Sequence, residues 1–232
     1  MYPNAQRDEA EVAFEGTSKY TNHTMEDTRP KTLYLMIKRT MDFIFAFLGL
    51  ILLSPLFLIV AILIKLEDPK GSIFFYQTRI GKDEEPFRMY KFRSMVSNAE
   101  DLLGNLLDQN EISGAMFKIR HDPRITKIGR FIRKTSIDEL PQLWNVILGD
   151  MSLVGPRPAL PREVEQYSSY DKLRLKVIPG CTGLWQISGR NGLSFSEMVE
   201  LDLHYIRQRG IILDLKIIIH TVRVMFGSKN AF

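Results

Sequence analysis

The sequence contains a single cysteine, Cys181, and only four histidines among its 232 residues. One cysteine excludes an intrachain disulfide and is typical of a protein in a reducing compartment. The histidines show none of the spacings of a metal-binding motif, so neither a cysteine-rich zinc site nor a histidine-based metal site is expected. Internal repeats and low-complexity tracts are also absent. Functional groups are therefore sought among carboxylates and cationic side chains.

The net charge of the chain is small, at +4, and it is unevenly distributed along the sequence. Residues 1–31 contain four basic and six acidic side chains, a net charge of −2, so the other 201 residues carry +6. A mildly basic body favours phosphate-bearing partners or an anionic membrane surface. Residues 1–33 are polar, mixed in charge and aperiodic, which predicts a flexible tail.

One long hydrophobic run stands out, the 22 uncharged residues from Phe43 to Ile64. As a helix rising ~1.5 Å per residue the run would be about 33 Å long, enough for a bilayer core of about 30 Å. The run is apolar on all sides rather than striped, which favours a membrane helix over a buried core helix. We therefore predict a membrane segment over residues 34–66.

Pro55 lies near the middle of this run, where it removes a backbone hydrogen bond to the carbonyl of Ile51. The neighbouring Ser54 hydroxyl can bond a freed carbonyl, which makes a bend tolerable in lipid. Basic residues flank both ends of the run: Lys38, Arg39, Lys65 and Lys70. Both ends therefore satisfy the positive-inside rule when they return to the same face. We predict a re-entrant helix-break-helix at Ser54 and Pro55, with a full crossing as the alternative.

The rest of the chain predicts an α+β fold that is mostly helical. Alternating residues at 72–80 and 87–95 predict a small β-hairpin. Helical spacing predicts helices over 97–110, 124–134, 137–148, 194–209 and 213–226. Glycine- and proline-rich loops are expected at 149–163 and 177–194. The last helix can lie flat at the membrane interface as an amphipathic helix, or it can pack as an ordinary terminal helix.

Two adjacent carboxylates, Asp138 and Glu139, lie in the stretch TSIDELPQLWN (135–145). Ser136 and Glu139 have the spacing of a helix capping box, so this stretch can be an ordinary helix start. Seven basic residues precede the pair, namely Lys118, Arg120, Arg124, Lys127, Arg130, Arg133 and Lys134. Such a run is often a solvated helix face. The cations and the helix dipole nevertheless favour ionised carboxylates, and an ionised Asp138 suits a nucleophile or a metal ligand.

Carboxylates, a bound Mg²⁺ and arginines together suit the cleavage of a diphosphate. The metal neutralises phosphate oxygens, and arginine forks hold the non-bridging oxygens in pairs. The loop GPRP (155–158) offers Arg157, and YKFRSM (90–95) offers Lys91 and Arg93. A membrane segment and a central acidic pair argue against nucleic acid as the partner of the basic surface.

Four long motifs follow one another along the chain: KRTMDFIFAFLGLILLSPLFLIVAILIKLEDPKGSIFFYQTRIG (38–81), FRMYKFRSM (87–95), TSIDELPQLWNVILGDMSLVGPRP (135–158) and LKVIPGCTGLWQISGRN (175–191). In content and order they resemble the bacterial sugar transferase family, the monotopic phosphoglycosyl transferases. The resemblance extends from about residue 35 to residue 226. It leaves only the predicted tail outside.

The resemblance implies a role for each candidate site residue. The nucleophile of the family corresponds to Asp138, and its acidic neighbour, linked to Mg²⁺ binding, corresponds to Glu139. Both carboxylates are thus the expected metal site. The catalytic lysine of the family corresponds to Lys91. Its phosphate-binding arginines correspond to Arg133 and Arg157.

The same resemblance implies a monotopic membrane protein of the bacterial inner membrane. Its re-entrant helix would lie in one leaflet, and residues 67–232 would form a catalytic domain on the cytosolic face, with membrane-interface helices. The chain has none of the extra amino-terminal membrane helices of larger family members, so the short form is expected.

The implied activity is transfer of a sugar-1-phosphate from a UDP-sugar to undecaprenyl phosphate. It would pass through a phosphosugar-aspartyl intermediate, release UMP and initiate exopolysaccharide, capsule or other glycoconjugate assembly. The expected cofactor is Mg²⁺, and the expected partners are UDP-sugar, undecaprenyl phosphate and membrane lipid, without nucleic acid. One alternative is a non-catalytic, membrane-anchored module that binds phosphates or partner proteins, and another is a diphosphate hydrolase. The motifs resemble members that handle plain hexoses, but the sequence assigns neither the sugar nor the oligomeric state.

Overall fold

The computed structural model describes residues 32–103, 122–188 and 193–227. Within them the fold is mostly helical, as predicted. The helices are α1 (Thr32–Glu67), α2 (Ala99–Leu103), α3 (Lys127–Lys134), α4 (Gln142–Leu148), α5 (Pro161–Val164), α6 (Leu184–Ile187), α7 (Phe195–Gln208) and α8 (Ile211–Gly227). The strands are β1 (Phe74–Ile80), β2 (Pro86–Phe92), β3 (Ser152–Val154) and β4 (Gly180–Thr182). The predicted tail up to residue 31, the predicted helical residues 104–110, and Lys118 and Arg120 lie outside the described residues.

Helix α1 carries the hydrophobic run and extends slightly beyond the predicted segment at both ends. It is long and apolar enough to cross a membrane, and its most apolar window is 11% buried. Exposed apolar side chains cover most of its surface, including Phe47, Ile51, Leu52 and Ile59. In a soluble core helix these side chains would be covered by protein, so lipid is the solvent that suits this surface.

Pro55 does not divide α1 into two separate helices, because one helical segment continues through it. The predicted break is therefore not a gap in the helix. The Ser54 hydroxyl donates a hydrogen bond to the carbonyl of Ile51 at 2.7 Å. That carbonyl is the one that the missing N–H of proline leaves without its helical donor. The predicted local compensation is confirmed.

The predicted hairpin is confirmed. Strands β1 and β2 pair antiparallel, with Phe75 opposite Lys91 and Arg79 opposite Phe87. The tight connection, Lys82–Glu84, is a 3-10 turn. The hairpin carries Arg79 and Lys91 into the body of the protein.

A second, two-stranded sheet was not predicted, because its strands lie within the two loops rich in glycine and proline. Strands β3 and β4 pair in parallel, with Ser152 opposite Gly180 and Val154 opposite Thr182. The two chains approach so closely that a Cβ added at Gly180 would lie 2.0 Å from the backbone nitrogen of Gly155. Glycine at this crossing is therefore a steric requirement.

The buried side of α1 contributes to two of the hydrophobic clusters. Ala46 packs in a cluster with Met89 of β2 and Val146 of α4. Further along the helix, Val60 and Ile64 pack in a second cluster with Phe92 of β2 and Ile132 of α3. Strand β2 thus supplies one buried side chain to each cluster and lies against both halves of the membrane helix.

Polar contacts fix the amino-terminal part of α1 to the body. Lys38 Nζ donates to Asp214 Oδ2 of α8 at 2.9 Å, and both side chains are largely buried. Arg39 donates to the carbonyl of Ile147 at 2.7 Å, near the carboxyl end of α4. A cationic side chain at this end of a helix satisfies its unpaired carbonyls and complements its dipole.

The carboxyl end of α1 is fixed as well. The Glu67 carboxylate accepts hydrogen bonds from the backbone N–H groups of Lys127 and Ile128, at 2.7 and 2.9 Å. These N–H groups belong to the first turn of α3, where no intrahelical acceptor is available. Both ends of α1 are therefore attached to the same body.

Candidate active site

The carboxylate pair lies in a 3-10 turn, Ile137–Glu139, between α3 and α4. The preceding Ser136 adopts a left-handed backbone conformation with φ of 56°, and its side chain makes no capping hydrogen bond. The predicted capping box is therefore wrong, because this backbone turns the Ser136 side chain away from the capping geometry. Helix α4 begins only at Gln142, later than predicted, and it ends at Gly149 as predicted. A tight turn, rather than a helix start, presents the carboxylates.

The turn directs the two carboxylates into different environments. Asp138 is buried, with 8% of its surface exposed, whereas Glu139 is exposed. Lys91 Nζ of β2 donates to Glu139 Oε1 at 2.7 Å. The structure therefore brings together the three predicted catalytic residues, although they come from two distant segments of the chain.

Burial determines the ionisation of Asp138. Loss of hydration raises the pKa of this carboxyl to about 6, and the negative charge of Glu139 also raises it. Lys91 and Arg133 lower the pKa, but their effect is smaller than that of burial. The two cations thus act in the predicted direction, but burial outweighs them. At pH 7 the carboxylate is still mainly ionised, as a nucleophile requires.

A buried amide holds the lysine strand against the helix that follows the turn. Asn145 of α4 is fully buried, and its Oδ1 accepts the backbone N–H of Tyr90 at 3.0 Å. Its Nδ2 donates to the carbonyl of Arg88 at 2.7 Å and to Asp150 Oδ2 at 3.1 Å. Because Tyr90 precedes Lys91, this clamp fixes the lysine relative to the carboxylates.

Arg157 stands on a rigid loop after β3. It is exposed between the buried residues Pro156 and Pro158. The loop is tied to the β4 segment, since Gly155 N–H donates to the carbonyl of Thr182 and Gly180 N–H donates to the carbonyl of Pro156. The loop that carries Arg157 therefore has little backbone freedom left to lose.

Arg133 is half-buried near the carboxyl end of α3, and its charge acts on Asp138. The other described members of the basic run have different surroundings. Arg124 pairs with Asp122 at 2.7 Å, and both side chains are buried, which indicates a structural role. Lys127, Arg130 and Lys134 are exposed on α3. The run is thus not one site.

An open cleft lies beside Glu139, whereas the buried Asp138 is not among its lining residues. It is lined by Arg79, Met89, Lys91, Glu139, Gln142, Arg157, Pro158, Gly180, Cys181 and Gln186. Lys91, Glu139 and Arg157 were predicted as site residues, but Arg79 and Gln142 were not. The sequence signal that could have identified Arg79 is a charged residue inside a predicted strand. Ser54 and Pro55 lie on the membrane helix and do not line the cleft.

The donors available for a metal ion are few. The described parts of the chain contain no group of three or more histidine, cysteine, aspartate or glutamate side chains that could hold a metal. Mg²⁺ in nucleotide enzymes is commonly bound by only one or two carboxylates, with substrate phosphates and water completing its shell. The adjacent carboxylates of Asp138 and Glu139 fit such a partial site.

The sequence that folds in this way matches a known protein family. Residues 33–228 match the family model described as bacterial sugar transferase. The chain is a member of the bacterial sugar transferase family.

The relatives with names match most of the sequence of this chain. It is 50% identical over 204 residues to the galactosyl transferase CpsE of Streptococcus agalactiae, covering 87% of this chain and 44% of that protein. The exopolysaccharide production protein ExoY of Sinorhizobium fredii is 42% identical over 199 residues, covering 84% of this chain and 88% of that protein. The UDP-glucose:undecaprenyl-phosphate glucose-1-phosphate transferase of Escherichia coli is 40% identical over 214 residues, covering 89% of this chain and 44% of that protein. The chain thus spans less than half of two relatives and most of the third.

Replacing Asp138 with asparagine is expected to stabilise the protein at neutral pH. The pKa of Asp138 in the folded protein, about 6, exceeds its ordinary value of 3.8. Folding therefore opposes ionisation, and the charged carboxylate costs on the order of 1–3 kcal/mol. We expect Asp138→Asn to unfold at a higher temperature than wild type at pH 7.5. The difference should shrink as the pH falls from 6 to 4, because the carboxyl of the folded protein becomes protonated and the burial cost of its charge is lost.

Thermal unfolding of the purified protein in detergent, measured from pH 4 to 8, tests this expectation. Asp101→Asn, at an exposed position on α2, is the matched control and should show no such pH-dependent difference. A wild type that is more stable than Asp138→Asn at pH 7.5 would contradict the assigned burial cost.

Proposed function

We propose that the chain transfers a sugar-1-phosphate from a UDP-sugar to undecaprenyl phosphate at a membrane surface. The observation that carries this proposal is the buried Asp138 beside the Lys91–Glu139 ion pair, in a body attached to a long apolar helix. The name of the Escherichia coli relative describes this type of transfer, and the ExoY name places that relative in exopolysaccharide production. The product would initiate assembly of an exopolysaccharide, capsule or other glycoconjugate.

In the first step the Asp138 carboxylate attacks the β-phosphorus of the UDP-sugar. A bond forms between the carboxylate oxygen and that phosphorus, and the bond from phosphorus to the bridging oxygen breaks. UMP leaves with the bonding electron pair, and a phosphosugar-aspartyl intermediate remains. With a pKa of about 6, Asp138 is mainly ionised at neutral pH. Its negative charge is less stabilised in the protein than it would be in water.

In the second step a phosphate oxygen of undecaprenyl phosphate attacks the phosphorus of the intermediate. The bond between that phosphorus and Asp138 breaks, which regenerates the carboxylate and yields undecaprenyl-diphospho-sugar. Lys91 and Arg133, the cations that act on Asp138, are proposed to stabilise charge on the transferring group. Arg157 is proposed to bind phosphate from the opposite loop.

Mg²⁺ is proposed as the cofactor, held by Glu139 with Asp138. When bound, it would neutralise negative charge on the diphosphate, so that an anionic nucleophile can approach. Lys91 holds Glu139 Oε1 at 2.7 Å and so keeps this carboxylate oriented beside the nucleophile.

The membrane helix is proposed to be re-entrant and bent at Ser54 and Pro55. Lys38 and Arg39 attach one end of α1 to the body, and Glu67 attaches the other. A helix that crossed the bilayer would leave its ends on opposite sides, which these contacts to one body oppose. The exposed apolar surface between the two attachments can enter one leaflet while the body stays at the surface.

Two further helices support this orientation of the body. On α8 the apolar side chains Ile212, Leu215, Ile219 and Val222 are exposed, with Lys216 and Arg223 beside them. On α3 the exposed Phe131 lies among exposed basic residues. Apolar side chains flanked by cations suit the boundary between acyl chains and anionic headgroups. We propose the cytosolic face of the bacterial inner membrane, because a UDP-sugar is a water-soluble, cytosolic substrate.

The proposed donor is a UDP-hexose. One relative is named a galactosyl transferase and another a glucose-1-phosphate transferase, and both of these sugars are plain hexoses. The two differ in one hydroxyl configuration, and no residue of the cleft is assigned to that hydroxyl.

The transfer reaction is tested with purified protein, Mg²⁺ and a panel of UDP-sugars, with and without undecaprenyl phosphate. We expect UMP release with sustained turnover only when the lipid is present. Asp138→Asn should lower turnover by at least about 10³-fold, because the nucleophile is lost. Asp101→Asn is the matched control and should retain wild-type turnover.

Each rival function predicts a different result in this assay. Sustained UMP release without lipid would indicate a diphosphate hydrolase. Absence of UMP release with every donor would favour a non-catalytic module. Substantial turnover by Asp138→Asn would refute the assignment of the nucleophile.

The topology is tested with single cysteines at positions 32 and 70, in a background in which Cys181 is replaced by alanine. These positions lie just before and just after the two attachments of α1. A membrane-impermeant thiol reagent should label both Thr32→Cys and Lys70→Cys only after the cytosolic face is made accessible. Labelling of one cysteine from each side would show a crossing helix and refute the re-entrant arrangement.

A further inference from the structure

Arg79 is a buried cation that opens onto the cleft. It lies on β1, only 5% of its surface is exposed, and it lines the cleft together with Lys91, Glu139 and Arg157. A buried arginine is costly unless a carboxylate or another anion balances its charge. The groups around Arg79 therefore indicate whether its charge is balanced within the protein or by a bound anion.

The protein satisfies the Arg79 guanidinium only in part. Its Nη1 donates to the carbonyl of Pro158 at 3.0 Å, and its Nη2 donates to Gln77 Oε1 at 2.9 Å. Both acceptors are neutral. Its Nε is buried and has no hydrogen-bond partner among the described residues. The two contacts fix the plane of the guanidinium, but within the described part of the chain its charge has no ion-pair partner and its Nε–H donor has no acceptor.

The electrostatic surroundings of Arg79 add a second cation. Burial lowers its pKa to about 10, and the next cause is the positive charge of Arg157. Glu139 and Glu163 act in the opposite sense, but their effects are smaller. Two guanidinium groups therefore face one cleft under mutual repulsion, an arrangement that an anion between them would relieve.

We propose that Arg79 binds a phosphate group of the substrate diphosphate through its guanidinium and that it forms an anion site with Arg157. The proposal rests on the proposed function for the identity of the anion. The hydrogen bond from Arg79 to Pro158 places both guanidinium groups on one rigid unit, because Pro158 directly follows Arg157. An arginine that is already oriented loses little side-chain entropy on binding, and its fork matches two phosphate oxygens.

This role differs from that of a residue that only supports the loop. A support role requires one hydrogen bond to the Pro158 carbonyl, which either a lysine or a glutamine side chain can donate. An anion-binding role requires positive charge as well. Lysine keeps the charge and loses the fork, whereas glutamine loses both.

The test is calorimetric titration of the full chain in detergent with inorganic pyrophosphate in the presence of Mg²⁺. We expect Arg79→Gln to weaken pyrophosphate binding at least about tenfold and Arg79→Lys to weaken it about threefold. Arg88→Gln is the matched control, because Arg88 lies on β2 of the same hairpin, is exposed and does not line the cleft. It should bind pyrophosphate as wild type does.

Three outcomes would overturn the inference: wild-type protein that does not bind pyrophosphate, Arg79→Gln with wild-type affinity, or equal losses in Arg79→Gln and Arg79→Lys. The last outcome would reduce Arg79 to a support for the loop. The titration involves neither sugar nor lipid. If pyrophosphate binding depended on Arg79 while no UDP-sugar was turned over, the anion site would stand and only the proposed function would fail.

Discussion

The buried amide of Asn145 is the contact on which the geometry of the site depends. It joins β2, which carries Lys91, to α4, which follows the carboxylate turn, through Tyr90 N–H and the Arg88 carbonyl. No water can replace these bonds at a fully buried side chain, so loss of one would leave a backbone group unsatisfied in the interior. The Lys91–Glu139 ion pair, by contrast, is partly exposed and contributes little to holding the two segments together. The clamp therefore fixes the two backbone segments that carry these charges.

The membrane helix is part of the same unit. Its Ala46 packs with Met89 of β2 and Val146 of α4, the two elements that the amide connects. Arg39 binds a carbonyl near the end of α4. Met89 of this cluster also lines the cleft, so one hydrophobic cluster connects the helix proposed to enter lipid with the cleft proposed to bind a soluble nucleotide. This arrangement suits a reaction between one soluble and one lipid-bound substrate, since the site is held at the boundary where both are present.

The features predictable from the sequence were those encoded locally. The apolar run, the alternating hairpin and the helix end at Gly149 each follow from a short pattern, and the Ser54 hydrogen bond lies within one turn of Pro55. The capping box failed because Ser136 adopts a positive φ, which its sequence spacing does not reveal. The raised pKa of Asp138 depends on burial by segments distant in sequence. Pairing of β3 with β4, and the meeting of Arg79 with Arg157, likewise exist only after folding brings distant loops together. The family resemblance supplied the site residues that physical patterns alone left open.

The central claim is that Asp138 carries the sugar phosphate during transfer. The most direct measurement is intact-protein mass spectrometry after incubation with a UDP-hexose and Mg²⁺ in the absence of undecaprenyl phosphate, followed by peptide mapping. We expect a mass increase equal to one hexose phosphate, located on Asp138 and lost when undecaprenyl phosphate is added. A modified residue other than Asp138, or full turnover with lipid but no trapped adduct under any quench condition, would contradict it.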